Sequence, residues 1–247
     1  MGSIIKNEFF KVFRSKAIYV MELIGIFLGG GILFFLKTLQ KGVFGAEGMK
    51  ETLTFYDGLS SFTNVIIFIL SIWAVLLVTS MITEENRNGT LKYTLINPVT
   101  RIEVIIAKSI FLYLTLFIMV AVHIIIGIIA SAIIVGGVNI NDIVEILIKG
   151  ILTTIPMFGL SMVLFIPALL LESTSHTIII GFIITNFIDG VLRIKPAIHK
   201  YSITAYTSTF LNGNSEAYMI TLILSAIYII IFLVLSILLF NNKEIKA

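Results

Sequence analysis

The 247 residues carry 58% hydrophobic and only 13% charged side chains, with a formal net charge of +3. Soluble globular domains carry about 25% charged residues, so this composition excludes a water-solvated fold and makes lipid the solvent for most of the chain. The absence of cysteine excludes disulfides, thiolate chemistry and Cys-ligated metals.

Residues 4–16 predict a helix lying at a membrane interface. Ile5, Phe9, Val12 and Phe13 recur at helical spacing, while Lys6, Asn7, Arg14 and Ser15 fall mostly elsewhere. The basic residues suit an anionic membrane surface. Six apolar segments follow, at 18–36, 64–83, 105–135, 146–171, 177–192 and 218–240. A span needs about 20 apolar residues. The first run is therefore too long for a signal-peptide core, and no small-residue cleavage site follows it. The third is long enough to tilt, or to begin as a helix before it enters lipid. Pro156 and Pro167 predict kinks in the fourth. The fifth is short, and the semi-polar stretch 193–214 after it suits partial re-entry or an outer interface. The expected fold is an all-α integral membrane protein, a six-helix transmembrane bundle with an N-terminal amphipathic interfacial helix, in one domain over 1–247.

Orientation follows from Lys and Arg. With the N-terminus inside, ten fall on inner segments and seven on outer ones, and the first flank holds Lys6, Lys11, Arg14 and Lys16. The positive-inside bias then places both termini in the cytoplasm.

Ionisable residues within apolar segments are costly in lipid and mark candidate sites. Glu22 and Lys108 both sit near the inner ends of their segments, free to snorkel or to pair with each other. His123, mid-segment, can hydrogen-bond across helices while neutral. Asp189 lies near the outer end of the fifth segment, where it marks the exit. Gly25 and Gly29 give the first span a small-residue face for close packing, within one bundle or between two subunits.

The most charged stretch joins the second and third segments. Asn88-Gly89 marks a turn, with a positive φ expected at Gly89. A short helix fits Thr90 to Ile96, and Pro98 ends it. Thr100-x-x-Glu103 then reads as a capping box opening a helix that carries Lys108 into the third span.

This stretch resembles the first cytoplasmic loop of ABC exporter permeases of the ABC-2 type. The matching residues are Glu84, Glu85, Gly89-Thr90-Leu91, Pro98, Thr100-Arg101 and Lys108. The N-terminal helix resembles the family's elbow helix, and the six-span layout is also similar. The motif covers about 25 residues, and the layout covers the whole chain. The resemblance implies a membrane permease subunit that pairs with a second permease, of the same or a different chain, and docks a separate ABC ATPase subunit. Glu84, Glu85, Gly89, Thr90, Leu91, Pro98 and Arg101 would then couple the two, with Arg101 pairing to an acidic group on the ATPase or to Glu84 or Glu85. Size and compact loops resemble permeases for bacitracin resistance, lantibiotic immunity or small-peptide export. The expected setting is a bacterial cell membrane, with lipid as a partner and no nucleic acid.

Several absences sharpen this reading. The chain contains no Gly-Lys dipeptide and hence no phosphate loop, so it is expected to bind no cofactor, with ATP and Mg²⁺ on the partner ATPase. Catalytic zinc and serine-elbow motifs are absent, and three histidines without cysteine make a metal site unexpected. Arg87 follows Glu84-Glu85 too early for a prenyl-protein protease motif. The competing classes are an ion-coupled carrier or channel, which needs polar residues aligned at mid-membrane, and a non-transporting scaffold.

Overall fold

The computed structural model describes residues 1–41, 52–90 and 99–243. Six helices in it are long and apolar enough to cross a membrane, at Lys16–Gln40, Phe55–Arg87, Arg101–Ile134, Ile140–Leu170, Thr174–Leu192 and Ser215–Asn242. No strand occurs among the described residues. The end of the bundle bearing the N-terminus is termed proximal below, and the opposite end distal.

Helix α1 (Gly2–Arg14) stops at Ser15, whose extended backbone redirects the chain and whose hydroxyl accepts the Ala17 N–H at 3.3 Å to cap α2 (Lys16–Gln40). Ile4, Glu8 and Val12, four residues apart, are the buried face of α1. The expected apolar stripe is thus divided. Ile5 and Phe9 pack partly against the core, whereas Phe13 turns outward with Phe10. A helix lying against a bundle has apolar neighbours on two sides, so an apolar stripe alone does not say which side faces the protein.

Helix α3 (Phe55–Val78) starts at a Thr54–Asp57 capping box and continues through a π turn (Thr79–Glu84) into a last turn, Glu85–Arg87. Helix α4 (Arg101–Ile134) opens on the anticipated capping box: Thr100 Oγ1 accepts the Glu103 N–H at 3.2 Å, and Glu103 accepts the Thr100 N–H at 2.7 Å. Helix α5 (Ile140–Val163) carries Pro156 internally and breaks at Leu164 before α6 (Phe165–Leu170). Pro167 explains the break, because it offers no N–H to the Val163 carbonyl four residues back and its ring crowds that oxygen. Helix α7 (Thr174–Phe182) runs through a second π turn (Ile183–Phe187) to Ile188–Leu192. A short helix α8 (Pro196–His199) and two 3₁₀ turns lead to α9 (Tyr218–Asn242).

Helices α3, α4 and α5 form the centre, where Phe62, Ile66, Leu70, Phe111 and Met157 have no exposed surface. Glycine sets the approach of α2. A Cβ at Gly29 would lie 2.7 Å from the Phe62 ring, and one at Gly25 would lie 3.3 Å from the His123 ring. Both glycines thus face this chain's own α3 and α4.

Candidate functional site

At the proximal end, α1, α3 and α4 meet over a buried ion network. Lys108, only 1% exposed, reaches from the second turn of α4 to Glu8 Oε1 at 2.7 Å, Glu85 Oε2 at 2.9 Å and the Met81 carbonyl at 2.8 Å. The three ammonium protons therefore each have an acceptor. Lys11 supplies the second cation, bonding Glu85 and, at 3.3 Å, Glu8. Two carboxylates thus face two ammonium groups, which is the condition for burying charge at all. Burial opposes the charge on Lys11, but the hydrogen bond and charge of Glu85, together with Glu8, outweigh it and hold the Lys11 pKa above the ordinary lysine range.

The Met81 carbonyl is available because of the π turn. Widening a helix by one residue per turn displaces the i→i−4 ladder and leaves oxygen atoms for other donors. Glu85 follows this turn directly, and its carbonyl lies 3.3 Å from the Thr90 hydroxyl. Between them, Gly89 adopts φ 68°, the left-handed conformation that glycine enters without penalty. A cavity of about 1030 Å³ opens alongside, lined by Asn7, Lys11, Trp73, Ser80, Glu84 and Asn88 among others. Through it Glu84 and Lys11 stay reachable from outside.

The same end is tied to the other helices. Thr83 donates to the Ala168 carbonyl of α6 at 3.1 Å and meets the Thr177 hydroxyl of α7 at 3.2 Å. Arg87 lies 3.2 Å from the Thr174 hydroxyl. Arg101 donates to the Phe240, Asn241 and Lys243 carbonyls at 2.8, 3.0 and 2.8 Å, closing the C-terminus of α9. This corrects the expected pairing of Arg101 with Glu84 or Glu85. The orphan carbonyls at a helix C-terminus carry partial negative charge and attract a guanidinium lying within reach.

The expected Glu22–Lys108 pair does not form either. Glu22 faces His123, with Oε1 3.5 Å from Nδ1, while His123 Nε2 lies 3.2 Å from the Phe62 carbonyl. Asp189 gathers the distal stretch, taking Arg193 and His199 at 2.8 Å each and Thr204 at 3.1 Å. Leu91 and Pro98, and with them all but the first residue of the short helix expected at Thr90 to Ile96, lie outside the described residues. Glu8, Lys11 and Thr83 belong to the site but were not singled out from sequence. Glu8 did leave a signal, as the one acidic residue spaced four from both Ile4 and Val12. Among the described residues, no three His, Asp or Glu side chains gather in a way that could hold a metal ion.

A bundle of helices of spanning length, with a buried ion network at one end, defines a polytopic membrane protein. Residues 4–188 match the model of the ABC-2 family transporter protein, and the chain belongs to that family. It is accordingly a multi-pass permease component of an ABC transporter, and membership implies association with an ABC ATPase subunit. No match is found among curated proteins.

Proposed function

We propose that the chain is one membrane half of an ATP-driven exporter in a bacterial cell membrane. The proximal end faces the cytoplasm, with both termini there, as the basic N-terminal flank favours. A second permease, identical or not, completes the pathway within membrane lipid. A separate ATPase binds ATP and Mg²⁺ and docks on the segment 84–101. One observation carries this reading. Glu85, at the start of the segment, and Lys108, beyond its end, are held by one another and by Glu8 of α1. A displacement of the segment therefore moves α1, α3 and α4 together, and Thr83, Arg87 and Arg101 extend it to α6, α7 and α9. ATP-driven closure of the ATPase would thus become a population shift between access states. Glu84 and Lys11, reachable at the cavity, are charged groups available to the docking face.

The substrate we assign is an amphipathic peptide of the antimicrobial type, carried out of the membrane or the cell. The compact connections and small size favour a substrate taken from the bilayer rather than from an extended external domain. Affinity purification in mild detergent should recover an ATPase subunit with the chain, and reconstituted vesicles should move peptide only with ATP. Transport by a particle lacking any ATPase would overturn the proposal.

A further inference from the structure

The contact between α2 and α4 has an unusual hydrogen-bond count. His123 has no exposed surface, and its Nε2 lies 3.2 Å from the Phe62 carbonyl. A carbonyl only accepts, so Nε2 carries the hydrogen. In the neutral ring Nδ1 is then a bare acceptor. It has no hydrogen-bond partner, and neither does either oxygen of Glu22, although Glu22 Oε1 lies 3.5 Å from it and all three atoms are shielded from solvent. An ionised Glu22 facing a neutral His123 would put lone pairs opposite lone pairs in apolar surroundings. A single added proton, on Nδ1 or on the carboxyl, converts that opposition into a hydrogen bond.

We propose that Glu22 and His123 form a proton-binding site that takes up one proton as a unit and, when loaded, clasps α2 to α4. The surroundings support it. Gly25, one turn beyond Glu22, lets the α2 backbone close on the imidazole ring, since a Cβ there would sit 3.3 Å from Cε1. The Phe62 ring lies on the other side, with centroids 4.7 Å apart, and Ile69 completes the apolar wall. Several other ionisable groups on the packed elements are engaged elsewhere. Asp57 of α3 is bonded to Thr54, Glu8 and Lys11 of α1 and Lys108 of α4 belong to the proximal network, and Lys149 of α5 is bonded to Glu145 and Tyr56. Tyr19 of α2 donates to the Phe13 carbonyl, and Tyr228 of α9 to that of Tyr201.

Helix α2 lies at the edge of the bundle. Only 22% of its spanning window is buried, against 67% for α3. Loss of the proton leaves a carboxylate in an apolar site with no donor, which is relieved when α2 separates from α4 far enough to admit water. The clasp does not depend on what the chain transports.

Spin labels test this directly, because the chain has no native cysteine. Phe27→Cys in α2 and Ile125→Cys in α4 are 80% and 54% exposed and accept labels without entering the core. The interspin distance is measured on the full chain in lipid vesicles from mildly acidic to strongly alkaline solution. The site predicts one lengthening with the steepness of a single proton. Glu22→Gln, whose amide donates to Nδ1 at any pH, should hold the short distance throughout, and His123→Gln should also abolish the transition. A distance that never changes in the parent chain would overturn the proposal. So would a transition that survives unaltered in Glu22→Gln.

Discussion

Lys108 is the residue on which the proximal end depends. Removing one partner of a buried pair leaves the others uncompensated, and Lys108→Met would leave Glu8 and Glu85 facing Lys11 alone. The expected loss is about 3–5 kcal/mol, typical of breaking buried pairs, read as a lower thermal midpoint in detergent. Glu8→Gln should lose less, because its amide oxygen still accepts from Lys108. Lys11 gives a pH signature. Its pKa is raised in the folded state, so its contribution is complete below the ordinary lysine value and is lost as pH rises through the raised one. Stability should fall in that alkaline window, and Lys11→Met should flatten the fall; an unchanged profile in the variant would remove Lys11 from the network's energetics. Lys108 stood out in sequence because charge is rare in apolar runs, but its partners did not. Glu22 seemed the natural partner, yet it meets His123, about 22 Å further along α4 at 1.5 Å per residue. Relative depth depends on how far α4 extends before its apolar stretch, and no local pattern encodes that.

Features fixed by neighbouring residues were legible at the scale of the element. The Thr100–Glu103 box, the positive φ at Gly89 and the break at Pro167 each follow from a few residues and their sterics. The two π turns left no such sign, since widening a helix depends on the packing around it. Arg101 shows the same limit. Its charge and position were plain, but its partners are the last carbonyls of α9, some 140 residues away. Arg101→Gln should therefore loosen the end of α9. Amide hydrogen exchange in the last turn of α9 is expected to rise about 5-fold or more, corresponding to the roughly 1 kcal/mol or more typical of a charge-assisted hydrogen bond. Unchanged protection there, with altered exchange at 84–90 instead, would return Arg101 to the role first expected of it.

At the proximal end of the molecule, polar side chains form a continuous tie from α1 through α3 and α4 to α6, α7 and α9. Composition disclosed the spans, and a short motif disclosed the family. The tie itself was hidden because its members come from six separate helices. The measurement that bears most directly on its role is made at Gly89, where an added Cβ meets nothing within 4 Å and only the backbone is strained. Holding a β-branched residue at positive φ costs about 1–3 kcal/mol, whereas Asn tolerates that region. Transport and ATPase rate should be recorded together in vesicles containing the chain and its ATPase. Gly89→Val is expected to lower both several-fold with normal membrane insertion and unchanged substrate affinity, while Gly89→Asn stays near the parent rates. If Gly89→Val leaves transport and ATPase rates at the parent level, the segment 84–101 does not transmit the ATPase stroke.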